Sequence, residues 1–113
     1  MEDKIENFKN GNIKYKTTYS SDGVVEDEFE YDEDKEGAIL IKTSYFKSGE
    51  IKAEFEYYGN GNVKEEFFYK EDEHNNIESR TIYYDNGNTW FSFIYEKNKI
   101  IETIKYDKDG VKH

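Results

Sequence analysis

Between residues 13 and 106, apolar and polar side chains alternate with period two, in short stretches broken by glycine-containing turns. That period marks strands rather than helices. It predicts strands at 13–19, 25–31, 39–45, 51–57, 63–69, 77–83, 89–95 and 100–106. A tyrosine closes each of them: Tyr19, Tyr31, Tyr45, Tyr57, Tyr69, Tyr83, Tyr95 and Tyr106, at intervals of 12, 14, 12, 12, 14, 12 and 11 residues. Turn signals follow most of these tyrosines, among them Asn-Gly at 60–61 and 86–87 and Asp-Gly at 109–110, with an earlier Asn-Gly at 10–11. Such pairs supply positive φ angles at little cost. The two longer intervals hold acidic loops at 32–37 and 71–76.

Hairpin pairing sets Tyr19 beside Val25, Tyr45 beside Ile51, Tyr69 beside Ile77 and Tyr95 beside Ile100. Extended without interruption, this register places every strand-end tyrosine on a first face, with Tyr15, Phe29, Ile41, Phe55, Phe91 and Ile104 between them. The second face then pairs Lys16 and Lys42 with Glu28, Lys42 with Glu54, Lys14 with Glu30, Glu56 with Lys64, and Glu66 with Arg80. Glu54 against Glu66 is the exception. A one-residue slip would turn aromatics outward and scatter these pairs, so the two patterns point to one register.

The expected fold is all-β: an antiparallel β-meander of about eight strands forming one strongly twisted or curled repeat sheet, a single domain over 1–113. Residues 1–8 would make at most a turn or two of helix. An apolar first face requires cover, by curling or by a homodimer that pairs aromatic faces. A closed barrel or a two-sheet sandwich are the alternatives, the barrel because it removes both edges.

The second face changes from Lys and Glu in the early strands to a cluster of Tyr58, Phe68, Ile82, Tyr84, Trp90, Ile94 and Ile101, with Arg80 nearby. In the expected register Ile82 lies across from Trp90, and Ile94 across from Ile101. A tryptophan, aromatic neighbours and an arginine are the ingredients of a protein-binding hot spot. The competing expectation is a second small core covered by a loop or a symmetry mate.

Composition narrows the function. The formal charge is −10, with 26 acidic against 16 basic residues, which favours basic partners and disfavours direct nucleic-acid binding. An aromatic content of 18% in a regular pattern argues against the disorder that 37% charged residues would otherwise suggest. Glu28, Glu30, Glu54 and Glu56 form an acidic surface able to mimic a phosphate backbone toward a nucleic-acid-binding enzyme. There is no cysteine, and no apolar run nears the roughly 20 residues that span a bilayer, so no membrane association is expected. The acidic N-terminus lacks a signal-peptide pattern, which points to the cytoplasm, with a surface or exported protein as the alternative. His74 and His113 are isolated, the acidic loops do not match a calcium-binding loop, and no nucleophile or phosphate-loop motif is present. No enzyme activity, metal or cofactor is expected.

The segments 45–57, 57–69 and 83–95, each running from tyrosine through a glycine turn to tyrosine, resemble the MORN-variant repeats of the YwqK-type antitoxin family. Gly49, Gly61 and Gly87 in the turns match the motif, with Tyr45, Tyr57, Tyr69, Tyr83 and Tyr95 at the strand ends. The resemblance implies a long antiparallel hairpin sheet and an antitoxin or immunity protein that neutralises a partner, such as a basic toxin domain, by direct binding. The matching positions are scaffold positions. A structural or adhesive surface repeat module is the other expectation.

Overall fold

The structure, a computed structural model, describes residues 2–71 and 76–113. The acidic loop 71–76 and His74 therefore lie largely or wholly outside the described residues. Nine strands form one antiparallel sheet in sequence order: β1 (Lys4–Asn7), β2 (Ile13–Tyr19), β3 (Val25–Tyr31), β4 (Ile39–Tyr45), β5 (Ile51–Tyr57), β6 (Val63–Tyr69), β7 (Ile77–Tyr83), β8 (Thr89–Glu96) and β9 (Lys99–Lys105). The expected strands 13–19 through 77–83 have these bounds, and the last two move by one residue. The count rises to nine because Lys4–Asn7, expected as at most a short helix, pairs with β2 instead.

Six turns share one construction. In those opened by Phe8, Ser20, Phe46, Tyr58, Tyr84 and Asp107, the first residue's N–H donates to the carbonyl of the fifth, and the N–H of the glycine at the fourth donates back to the first carbonyl, at 2.8–3.1 Å. The glycine closes the turn with positive φ, 91° at Gly61 and 92° at Gly87. A Cβ on Gly61 would meet open space, so backbone conformation rather than crowding selects glycine there. Between β8 and β9 the turn shortens to Lys97 and Asn98, both with positive φ, the two-residue hairpin loop whose twist matches its strands.

Each pairing also carries a β-bulge, at the second residue of the later strand in β2 to β8 and at the third in β9. Tyr19 opposes Val25 as expected, but Thr18 opposes Asp27 rather than Glu26. Tyr83 opposes Thr89, while Ile82 opposes Phe91 and Trp90 is the extra residue. Lys14, Leu40, Lys52, Lys64, Glu78 and Ile101 are skipped in the same way. One extra residue per strand pair changes which side chains share a face. The faces expected from uninterrupted pairing are therefore corrected.

On one side, here the front, a row runs Tyr15, Glu30, Ile41, Glu56, Glu65, Ile82, Phe91, Lys105. Beside it runs Thr17, Glu28, Thr43, Glu54, Phe67, Arg80, Phe93, Thr103. The back carries Lys16, Phe29, Lys42, Phe55, Glu66, Thr81, Ser92, Ile104, and next to these Thr18, Asp27, Ser44, Ala53, Phe68, Ser79, Ile94, Glu102. The strand-end tyrosines divide as well. Tyr45 and Tyr69 reach front carboxylates, whereas Tyr83 reaches Glu66 on the back.

The expected charge ladder is mostly replaced. Of its pairs, Glu56–Lys64 holds as an ion pair, at 3.8 Å. Lys42 instead lies over the rings of Phe29 and Phe55, 5.6 Å from each centroid, and Arg80 pairs with Glu65 rather than Glu66.

Neither the barrel nor the sandwich forms. Strands contact only their sequence neighbours, and β1 and β9 remain the two ends of an open sheet. The molecule measures 45 × 34 × 19 Å. Its third dimension exceeds the ~10 Å of a flat layer, as expected of a twisted sheet. The radius of gyration is 16.1 Å, against about 13 Å for a globule of this length. Its accessible area is 7611 Å², against about 6,500 Å² for a compact protein of this mass. Among the described residues Ala53, 2% exposed, is the only buried one. The expected buried first face is thus absent, and both faces are half-covered by their own side chains.

Stability in such a layer comes from ladder hydrogen bonds and cross-strand contacts. The turns add a further link. Asn60 and Asn62 both donate their side-chain amides to the carbonyl of Asp85 in the next turn along the same edge, at 2.7 and 2.9 Å. Asn86 and Asn88 do the same to Lys108, and Asn10 and Asn12 to Glu33. The Asn-Gly-Asn turns therefore bind hairpins to one another as well as reversing the chain.

Candidate functional site

On the front of β6 to β8, rings follow one another across the sheet. Tyr84, the first residue of its turn, stacks on Trp90 with centroids 4.9 Å apart. Trp90 continues to Phe91 at 5.4 Å, and Phe91 stacks on Phe93 at 5.7 Å. The Arg80 guanidinium lies 5.6 Å from the centroid of Phe93 and 5.3 Å from that of Phe67, whose ring stacks in turn on Tyr69. The bulge creates the Trp90–Phe91 contact, because the extra residue and its successor share one side of the strand.

Arg80 is fixed at both ends of its contacts. Its Nε donates to Glu65 Oε1 at 2.9 Å, and this bond holds the guanidinium pKa above its usual value. A planar cation stacked between two aromatic faces is a preorganised contact surface. Trp90 keeps 38% of its surface exposed. Tyr84 donates its hydroxyl to the carbonyl of Tyr106 at 2.8 Å, so the platform beneath the indole is anchored to the neighbouring strand end.

The same face is acidic over β3 to β5. Glu28, Glu30, Glu54 and Glu56, expected as an alternative surface, do lie together on the front. Tyr45 donates to Glu28, and Tyr69 to Glu54 at 2.5 Å. Burial, with the bonded carboxylate adding to it, pushes the Tyr45 phenol up to about 12, and Tyr69 and Tyr83 also rise. These tyrosines are donors at neutral pH.

The expected cluster is only partly assembled. Arg80, Ile82, Tyr84 and Trp90 belong to the front band, but Ile82 opposes Phe91 rather than Trp90. Tyr58 occupies the equivalent turn position one hairpin earlier, with Lys64 over its ring and its hydroxyl on the carbonyl of Tyr83. Phe68 faces the back, edge-on to Phe55. Ile94 opposes Glu102 on the back, and Ile101 is the bulged residue of β9, not its partner. Phe67, Tyr69, Phe91 and Phe93 are band members that uninterrupted pairing assigned to the other face. One signal pointed to them: the like-charge contact of Glu54 and Glu66 in that register. In the structure Glu54 opposes Phe67 and Glu66 opposes Phe55, on opposite sides.

Among the described residues no group of three His, Asp or Glu is arranged to hold a metal ion. His113 contacts Asp107 at 3.3 Å.

No protein-family model matches the chain, and no curated protein matches it. Solved structures with a similar fold exist. One is a chain of the GtfA/B complex, in a crystal structure bound to UDP and GlcNAc, with a TM-score of 0.58 and 13% identity. The similarity covers 88% of this chain and 21% of that one, so the present chain spans about a fifth of its neighbour's length. At this identity the likeness concerns the fold alone.

Proposed function

We propose that this chain is a non-catalytic protein-binding sheet, an antitoxin- or immunity-like protein that neutralises a partner by docking it on the front face. The observation that carries the reading is Arg80 stacked between Phe67 and Phe93, in line with Trp90, on a face that no other strand of the described residues covers. Central aromatic and arginine anchors dominate binding energy in protein interfaces. The acidic half of the same face suits a basic partner and would steer its approach, so association should slow with added salt. The resemblance to YwqK-type antitoxins supplies the class of partner, a toxin domain.

Affinity capture from the native host tests this, with wild type, Trp90→Ala and the Glu54→Lys/Glu56→Lys pair in parallel. A single toxin-like protein retained by wild type and lost with Trp90→Ala supports the reading. Capture lost only with the charge reversals points instead to an acidic inhibitor of a nucleic-acid-binding enzyme. Capture unaffected by either change overturns front-face docking.

A second reading has its own support. The same fold forms about a fifth of a longer chain in the GtfA/B complex, which fits a structural or adhesive repeat module of a larger protein. Further copies of the twelve-residue unit in the full gene would favour it.

A further inference from the structure

Asn-Gly steps occur at 10–11, 60–61 and 86–87, each in a turn on the same edge of the sheet. In a free chain such a step modifies itself. Glycine has no side chain to screen its nitrogen. That nitrogen, on losing its proton, attacks the asparagine Cγ, and the amide nitrogen leaves as ammonia. Water then opens the succinimide at either carbonyl, giving aspartate or isoaspartate, the latter with one extra methylene in the main chain. All three asparagines are exposed, so water reaches them.

The turns occupy both reacting groups. Gly61 donates its N–H to the carbonyl of Tyr58 and Gly87 to that of Tyr84, at 3.0 and 3.1 Å. The asparagine amide is held at both ends. Asn60 Oδ1 accepts the N–H of Asn62 at 2.9 Å, while Asn60 Nδ2 donates to the carbonyl of Asp85 at 2.7 Å. Asn86 has the same two bonds, from the N–H of Asn88 and to the carbonyl of Lys108, at 2.9 and 2.8 Å. A bonded N–H is harder to deprotonate, and a bonded amide must leave its partners before Cγ can turn to the glycine nitrogen.

One acceptor joins two of the steps. The carbonyl that holds Asn60 belongs to Asp85, the residue just before Asn86. The turns also lie against each other, since a Cβ on Gly87 would stand 3.8 Å from Asn62 Nδ2. Asn10 is held instead by Glu33, in a loop without an Asn-Gly step. We propose that Asn60-Gly61 and Asn86-Gly87 are coupled deamidation sites: the turns shield both, and modification at Asn86 unlocks Asn60. Isoaspartate at 86 lengthens the turn that presents the Asp85 carbonyl. Asn60 then loses its Nδ2 acceptor, and its amide is free to meet the Gly61 nitrogen. Asn10 stays shielded. The proposal is independent of binding at the front face.

The test is peptide mapping by mass spectrometry of the full chain aged in mildly alkaline buffer, folded and in urea, as wild type and Gly87→Val. Valine removes the step at 86 and, β-branched at a φ of 92°, disturbs the same turn. Amide NMR spectra report that the rest of the sheet is kept. Ammonia loss at Asn60 and Asn86 of folded wild type should be at least about tenfold slower than in urea. Gly87→Val should raise the folded rate at Asn60 about threefold or more and leave that at Asn10 unchanged. Should Gly87→Val fail to fold, Asn86→Ala/Asn88→Ala, which frees the turn from Lys108, takes its place with the same expectation. Equal rates at Asn60 in folded and unfolded wild type overturn the shield. An unchanged Asn60 rate in the folded variant overturns the coupling. An equal rise at Asn10 also overturns it, by assigning the effect to a general loss of stability.

Discussion

Trp90 stacks on Tyr84 with ring centroids 4.9 Å apart and planes 17° from parallel, although Trp90 has no partner in the β-ladder. The indole is thus attached to the sheet chiefly through another ring, which is itself tied to the carbonyl of Tyr106.

Trp90→Ala should therefore cost folding little, about 1–2 kcal/mol, close to the worth of one aromatic contact with partial burial. Partner affinity should fall by more than about tenfold. Urea unfolding and titration of the captured partner measure the two separately. Loss of the folded state would show that Trp90 is structural.

The paired amides of Asn60 and Asn62 on the Asp85 carbonyl predict a turn-to-turn coupling. The Asn60→Ala/Asn62→Ala variant should lose about 1–2 kcal/mol, through the two amide bonds to Asp85 and the bond from the Asn62 N–H to Asn60 Oδ1, all modest because they are exposed. Hydrogen exchange should accelerate in the Tyr84–Asn88 turn, one hairpin away from the substitutions. An effect confined to residues 58–62 would contradict the coupling.

Tyr45, Tyr69 and Tyr83 each donate to a glutamate, and folding raises the pKa of all three phenols, Tyr45 from 10.0 to about 12. A raised folded pKa means the folded state holds its proton more firmly than the unfolded chain does. The resulting stabilisation is complete below pH 10 and declines as pH rises from there through the folded values. Replacing all three tyrosines with phenylalanine should flatten the alkaline fall in stability across this window. Denaturant melts at rising pH, followed by tyrosinate absorbance, check it. An unchanged alkaline fall would show that these phenols titrate alike in both states.

Ala53 opposes Ser44 and Phe68, and at 2% exposure it has no room to grow. Ala53→Leu should destabilise by about 1–3 kcal/mol through displacement of its neighbours. The equivalent β7 position is Ser79, half-buried opposite Phe68 and Ile94, and Ser79→Ala should be nearly neutral. Equal effects at the two positions would show that the layer has no tight point at Ala53.

The strands from Ile13 to Tyr83 are legible because tyrosine and a glycine turn close most of them, and both signals act locally. β1 escaped notice because Lys4–Asn7 is short and every residue in it is exposed, so no apolar alternation marks it. The candidate site was half legible. Arg80, Ile82, Tyr84 and Trp90 do share a region, whereas Phe68 and Ile94 point to the back. Uninterrupted pairing puts Phe67 and Phe93, the stacking partners of Arg80, on the other face from it, together with Phe91, which stacks on Phe93.

What the sequence by itself determined is where the chain extends and where it turns, since alternation and positive-φ glycines are properties of neighbouring residues. Which side chains meet was decided by tertiary structure. A bulge near the start of each later strand, such as Trp90 or Lys64, looks in the sequence like any outward strand residue, yet it shifts all subsequent pairing by one. That single shift places Phe91 beside Trp90 and Arg80 between two rings, and divides the tyrosines between both faces. It thereby leaves an open, single-layer sheet where one continuous apolar face would have required cover.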